Sequence, residues 1–196
     1  MNLPNKLTLS RFALTGVFLI AFLAEFPFSK TAALVVFVTA SITDWLDGAI
    51  ARSRNLITNF GILMDPLSDK ILTCSAFIAF VGSHHIPAWM VVVIVARELA
   101  ITGLRLLAAS KNLVLAAEGF GKHKTISQII AIIAILVLTS YEQWGWVGRT
   151  LFGFPIGGAP WVAGFSLIAQ WVAVILTLLS GAIYLWRNRQ LYLEDV

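Results

Sequence analysis

The chain has 196 residues, of which 59% are hydrophobic and only 12% are charged, whereas an average soluble domain has roughly 25% charged residues. This composition excludes an ordinary soluble protein and predicts an integral membrane protein. The single cysteine, Cys74, excludes an intramolecular disulfide. No linker, low-complexity tract or internal repeat divides the sequence, so we expect residues 1–196 to form a single membrane domain.

Six apolar runs along the chain predict an all-α fold with six transmembrane helices. Each run is long enough to cross a bilayer core of about 30 Å, which needs roughly 20 residues. A short, mildly amphipathic segment over residues 1–10 precedes the first run and is expected at the membrane surface. The predicted spans cover residues 12–28, 31–50, 61–81, 88–109, 125–141 and 161–186, and a longer loop rich in Gly, Trp and Pro covers 142–160.

The basic residues predict the orientation of these spans. With six spans, twelve of the fourteen Lys and Arg residues fall on one side, and only Lys30 and Arg149 fall on the other. Because cytoplasmic loops of membrane proteins carry the excess of Lys and Arg, we expect both termini in the cytoplasm. The same distribution explains the net charge of +4 without a nucleic-acid partner.

Four of the ten acidic residues fall within 26 positions of this apolar chain: Asp44, Asp47, Asp65 and Asp69. The first pair has i, i+3 spacing and the second i, i+4, so each pair would lie on one side of a helix. On the predicted topology, both pairs lie near the cytoplasmic boundary of the membrane. Isolated carboxylates in a membrane are costly, so these should be paired or bind metal.

An all-carboxylate set of ligands favours a hard cation, Mg²⁺ or Mn²⁺, over zinc. Four carboxylates could hold two such ions about 3.5–4 Å apart, the arrangement that clamps an in-line phosphoryl displacement. The alternatives are ion pairs with nearby Arg and Lys residues, or a proton relay in an ion-coupled transporter. A lipid-binding scaffold without catalysis is a further alternative.

The acidic residues belong to a longer pattern, D-x2-D-G-x2-A-R-x8-G-x3-D-x3-D. The chain fills all eight fixed positions without a gap: Asp44, Asp47, Gly48, Ala51, Arg52, Gly61, Asp65 and Asp69. By this motif the chain resembles the CDP-alcohol phosphatidyltransferase family, and the six apolar runs extend the resemblance over nearly the whole sequence. The resemblance implies transfer of a phosphatidyl group from CDP-diacylglycerol to an alcohol with release of CMP. It also implies a homodimer among membrane lipids.

The resemblance further implies roles for individual residues. Asp44, Asp47, Asp65 and Asp69 would bind two divalent cations, and Asp69 would also be the general base. A second set would bind the CDP-lipid: Asn5, Thr8, Gly48, Arg52, Thr58 and Gly61.

A separate group of basic residues bears on the choice of alcohol. Arg97 and Arg105 lie eight positions apart, within about 80° of each other around a helix, and Lys122, Lys124 and Arg11 are expected at helix starts. Such a group could bind the phosphate of an acceptor, with Arg supplying paired donors. The alternatives are an ordinary cytoplasmic loop for Lys122 and Lys124, and pairing with Glu98 or an aspartate for Arg97.

Within the family, six segments resemble the bacterial members that use glycerol 3-phosphate as acceptor: 4–11, 42–52, 60–70, 96–98, 103–105 and 121–125. We therefore predict transfer of the phosphatidyl group to glycerol 3-phosphate, giving phosphatidylglycerophosphate. Inositol phosphate, or phosphatidylglycerol as in a cardiolipin synthase, remains an alternative acceptor.

Overall fold

The computed structural model describes residues 3–54, 59–111, 113 and 120–193, and it describes side chains for these except 3–8, 44–54, 59–69, 120–121 and 193. This part of the chain is mostly α-helical, as predicted. Its helices, with a 3₁₀ turn at Tyr141–Trp144, are α1 Leu3–Leu23, α2 Ser29–Arg54, α3 Asn59–Gly82, α4 Ala88–Ser110, α5 Phe120–Ser140, α6 Gly145–Phe152, α7 Trp161–Arg187 and α8 Gln190–Leu193.

The first helix differs from the prediction at both ends. The expected surface segment and first span form one continuous helix from Leu3, since Pro4 lies in the first turn, where its missing N–H is tolerated. The helix ends at Leu23, before Pro27, because proline disfavours helical geometry in the residue that precedes it. Two other boundaries also change: α2 continues to Arg54, four residues past the predicted end at residue 50, and α5 begins at Phe120, five residues before the predicted start at residue 125.

The predicted loop over residues 142–160 is more ordered than expected. It contains α6 and a two-stranded antiparallel hairpin, β1 Pro155–Ile156 and β2 Ala159–Pro160. The connecting residues Gly157 and Gly158 have φ of 65° and 87°, values that glycine adopts without steric cost in a two-residue hairpin turn. This short hairpin is the one departure from an all-α fold in the described residues.

Aromatic and aliphatic side chains from α1, α2, α3, α4, α5 and α7 form the main core. Phe18 of α1 and Phe37 of α2 have ring centroids 5.7 Å apart, and Phe22 meets Phe80 of α3 edge-on at 5.1 Å. Helix α4 packs between α3 and α7, and α5 packs against α7. The alternating helices therefore bring the end of α2, the start of α3, the end of α4 and the start of α5 toward one end of the molecule.

Helix α7 buries most of its polar residues and exposes many of its large apolar ones. Gln170 and Thr177 are buried, whereas Leu167, Ile168 and Leu178 are more than half exposed. This is the reverse of a soluble helix and fits a lipid environment. In the described residues, two stretches are long and apolar enough to cross a membrane, Lys122–Phe152 and Trp161–Arg187, and shorter apolar stretches cover Leu9–Leu23, Ser29–Thr43 and Lys70–Gly82.

Candidate functional site

The four motif aspartates lie in two consecutive helices. Asp44 and Asp47 belong to α2, and Asp65 and Asp69 belong to α3, so both pairs have the helical spacing that the sequence predicts. Helix α1 packs against both α2 and α3. The four carboxylates themselves lie outside the described side chains, and their joint binding of metal remains a prediction.

Five of the six predicted CDP-lipid residues lie in the helices just described, α1, α2 and α3. Asn5 and Thr8 lie in α1, Gly48 and Arg52 in α2, and Gly61 in α3. Thr58 falls outside the described residues, as do the side chains of Asn5, Thr8 and Arg52. The structure thus places the other five residues in α1, α2 and α3, where α1 packs against both of the others, and their contacts remain predictions.

The basic group is described in detail, and its centre is a carboxylate. Glu98 of α4 is 4% exposed and accepts a hydrogen bond from Lys124 of α5, which is also 4% exposed. Nη1 of Arg97 donates to the same Oε1 oxygen of Glu98 at 3.3 Å. One carboxylate oxygen therefore joins two cations from two helices.

Because these charged groups are buried, each of them needs a partner of opposite charge. An ion taken out of water without a partner costs several kcal/mol, so removal of either side of the pair leaves a costly unpaired charge. The carboxylate balances only one of its two cations, and the Arg97–Glu98–Lys124 group keeps one net positive charge. Lys70, the residue after Asp69, also interacts electrostatically with Glu98. The middle of α3, directly after Asp69, therefore lies near this basic group.

Arg105 has a different partner. Its Nε donates to the hydroxyl of Tyr184 in α7 at 3.3 Å, and its guanidinium carbon lies 5.6 Å from the centre of the Tyr184 ring. Lys122 is exposed at the start of α5, and Arg11 is half-buried in α1. Of the five predicted acceptor residues, the structure thus brings Arg97 and Lys124 together on Glu98 and places Arg105 against α7.

The sequence indicates Glu98 only as a candidate partner of Arg97, and it does not indicate Ser180, Gly181 or Tyr184. The pairing of Arg97 with Glu98 is confirmed, but the joint use of Glu98 by Lys124 was not expected. A signal was present, because Glu98 is a carboxylate in the middle of an apolar run. The partners in α7 carry only a weak signal, a few small or polar residues at helical spacing.

The opposite end of the helices holds an open cavity of about 570 Å³, bordered by the α3–α4 turn and the start of α7. His85 lines it, with Nδ1 2.9 Å from Oγ of Ser83, and Gln170 donates to the backbone carbonyl of His85 at 3.2 Å. Burial lowers the pKa of His85 below its usual value. A neutral imidazole held by neighbouring groups fits a structural role in this turn.

The comparisons with known proteins agree with the sequence motif. The family model of the CDP-alcohol phosphatidyltransferases matches residues 1–186. The chain belongs to the CDP-alcohol phosphatidyltransferase family. The resemblance inferred from the eight motif positions is therefore confirmed, and it extends over nearly the whole chain.

Three relatives in the CDP-alcohol phosphatidyltransferase family indicate where the chain lies within it. A CDP-diacylglycerol–glycerol-3-phosphate 3-phosphatidyltransferase of Bacillus subtilis is 43% identical over 199 residues, covering 95% of each chain. A protein of the same name from Rickettsia bellii is 33% identical and covers 93% of each chain. A probable phosphatidylglycerophosphate synthase of Mycobacterium tuberculosis is 35% identical over 95% of this chain and 81% of the relative.

Proposed function

We infer that the protein transfers the phosphatidyl group of CDP-diacylglycerol to glycerol 3-phosphate, giving phosphatidylglycerophosphate and CMP. The observation that carries this inference is the 43% identity to the Bacillus subtilis transferase over 95% of both chains. The complete eight-residue motif supports the CDP-lipid half of the reaction, and the buried basic group supports the phosphate-bearing acceptor.

The donor set fits divalent cations. Asp44, Asp47, Asp65 and Asp69 offer only carboxylate oxygens, from two helices separated by a short connection, and Mg²⁺ and Mn²⁺ prefer such ligands. When bound, two such ions would neutralise the pyrophosphate of the CDP-lipid and stabilise the departing CMP. This requirement for metal is part of the proposal.

Residues of the chain carry out the proton transfer and hold the CDP group. The acceptor hydroxyl forms a bond to the lipid-linked phosphorus, the bond from that phosphorus to the CMP oxygen breaks, and Asp69 takes the hydroxyl proton as general base. Gly48, Arg52, Thr58 and Gly61 would hold the CDP group, with Asn5 and Thr8 contributing from α1.

The acceptor is held by its phosphate. Arg97, Arg105, Lys122, Lys124 and Arg11 form the proposed binding group. Glu98 balances only one of the two cations that contact it, so the excess positive charge on Arg97 and Lys124 attracts an anionic acceptor. Glycerol without a phosphate gains nothing from this charge, which makes the basic group a specificity element.

The proposed setting is the cytoplasmic membrane of a bacterium, with six spans, both termini in the cytoplasm and a homodimeric assembly. Six helices of 21 to 27 residues support the number of spans: α1, α2, α3, α4, α5 and α7. A site at the cytoplasmic boundary lets the acyl chains stay in lipid while CDP and glycerol 3-phosphate come from water.

The inference is tested by following radiolabelled glycerol 3-phosphate into lipid. Purified protein in detergent, given CDP-diacylglycerol and Mn²⁺, should convert the label into a lipid-extractable product, and omission of CDP-diacylglycerol should abolish the conversion. Absence of labelled lipid under all conditions would reject the transferase and favour a transporter or a scaffold.

A further inference from the structure

One face of α7 carries a buried polar stripe, defined here as Thr177, Ser180, Gly181 and Tyr184. These residues are spaced three, four and seven positions from Thr177, so they share one side of the helix. Thr177 is fully buried, and Ser180 and Tyr184 are 4% and 3% exposed. A polar face inside an apolar helix requires partners, and its partners include both arginines of α4.

Arg97 lies directly on the stripe. Its Nη2 donates to Oγ of Ser180 at 3.2 Å, and its side-chain carbons pass over Gly181. A Cβ atom at position 181 would lie 2.9 Å from Cγ of Arg97, closer than real Cβ contacts occur. The absence of a side chain at Gly181 therefore lets Arg97 lie against the backbone of α7.

Arg105 meets the same stripe one turn further along α7. The hydroxyl of Tyr184 accepts the hydrogen bond of Arg105 Nε at 3.3 Å. The two arginines are eight residues apart on α4, about 12 Å along its axis, and α7 contacts each of them. A single helix face thus fixes the spacing between the two guanidinium groups.

These contacts leave donors for a ligand. Glu98 and Ser180 each accept one N–H of a terminal nitrogen of Arg97, which leaves a second N–H on each of these nitrogens. The Nε of Arg97 is buried beside Gly181 and has no hydrogen-bond partner among the described residues. For Arg105 the partner in the described part of the chain is at Nε, so this contact uses none of the N–H groups of its terminal nitrogens. Phosphate oxygens are the acceptors that such guanidinium donors bind best.

We propose that Ser180, Gly181 and Tyr184 are positioning residues that hold Arg97 and Arg105 at the spacing required to bind the phosphate of the acceptor. This proposal rests on the proposed function, because it takes a phosphate-bearing alcohol as the acceptor. It makes α7, which carries none of the family motif, a determinant of acceptor affinity. The proposal gives this polar stripe no role in binding the CDP-lipid.

The direct test is Gly181→Ala, with Gly164→Ala as matched control. Both glycines lie in α7, but a Cβ at Gly164 meets no atom within 4 Å. In Gly181→Ala, the KM for glycerol 3-phosphate should rise about tenfold, equivalent to about 1.4 kcal/mol of binding free energy, while the KM for CDP-diacylglycerol stays unchanged. Gly164→Ala should leave both constants at the wild-type values.

Tyr184→Phe gives a second test that preserves the ring and its packing. Loss of the hydroxyl should raise the KM for glycerol 3-phosphate about threefold, the size of one hydrogen bond, again without an effect on the lipid. Equal KM values in Gly181→Ala and Gly164→Ala, or parallel changes for both substrates in either variant, would overturn the proposal. Failure of the wild-type protein to use glycerol 3-phosphate would instead reject the proposed function.

Discussion

Oε1 of Glu98 accepts a hydrogen bond from Nζ of Lys124, a residue 26 positions further along the chain. The contact joins the middle of α4 to the start of α5 and places both charges almost out of solvent. Arg97 shares the same oxygen. The carboxylate of Glu98 therefore offsets the repulsion between the positive charges of Arg97 and Lys124.

Replacement of Glu98 by Gln should destabilise the protein more than any surface substitution. The change leaves Lys124 and Arg97 buried without a counter-charge, which costs about 3–5 kcal/mol when a buried pair is broken. Thermal unfolding in detergent micelles measures the effect, with Glu25→Gln as control because Glu25 is exposed. An unfolding temperature equal in Glu98→Gln and Glu25→Gln would show that the ion pair does not stabilise the fold.

Replacement of Asp69 by Asn should abolish turnover while some CDP-lipid binding remains. The amide cannot take the proton of the acceptor hydroxyl, so we expect loss of at least two orders of magnitude in kcat, the lower range for general base catalysis. CMP release measures kcat, and retention of CDP-diacylglycerol on immobilised protein measures binding. A variant with activity near wild type would remove Asp69 as the base.

Removal of divalent cations should stop the reaction without unfolding the helices. The proposed ligands are four carboxylates, so EDTA should abolish CMP release, and Mg²⁺ or Mn²⁺ should restore it. Circular dichroism of the EDTA-treated protein checks that the helical content is unchanged. Full activity after exhaustive chelation would contradict the metal proposal and leave the aspartates to bind basic side chains.

The free energy of unfolding should depend on pH because the pKa of His85, in the α3–α4 turn, changes on folding. Its pKa in the folded protein lies below the usual value because burial disfavours the charged ring, so the unfolded chain binds the proton more readily. Stability should therefore fall as the pH drops through about 6.5, the unfolded pKa of histidine. Unfolding temperatures at pH 7.5 and 5.5 should differ more in the wild type than in His85→Asn, and identical pH dependence would exclude this role.

The helical architecture could be predicted from the sequence because apolar runs long enough for a bilayer leave few alternatives. The predicted spans 61–81, 88–109 and 161–186 match α3, α4 and α7 within about two residues. The sequence predicts the start of α5 too late because charged residues such as Lys122 and Lys124 are typical of the boundary before an apolar run. In the folded chain Lys124 is buried against Glu98, a partner in another helix that no local pattern indicates.

The candidate site also has one part that the sequence predicts and another part that it does not. The acidic motif could be found by spacing alone, since its residues are close in sequence and fall in two consecutive helices. The residues of α7 that contact the two arginines could not be found by spacing. Arg97 contacts Ser180, which is 83 positions away, and Arg105 contacts Tyr184, which is 79 positions away. Such contacts depend on which faces of α4 and α7 meet, and hydropathy does not determine that choice.

The central claim is that this protein transfers a phosphatidyl group to a phosphate-bearing glycerol. CMP release from CDP-diacylglycerol, measured with glycerol 3-phosphate, glycerol or inositol phosphate as the added alcohol, tests it most directly. Rapid release with glycerol 3-phosphate and little release with the other two is the predicted result. Release with inositol phosphate alone, equal release with glycerol, or no release with any alcohol would contradict it.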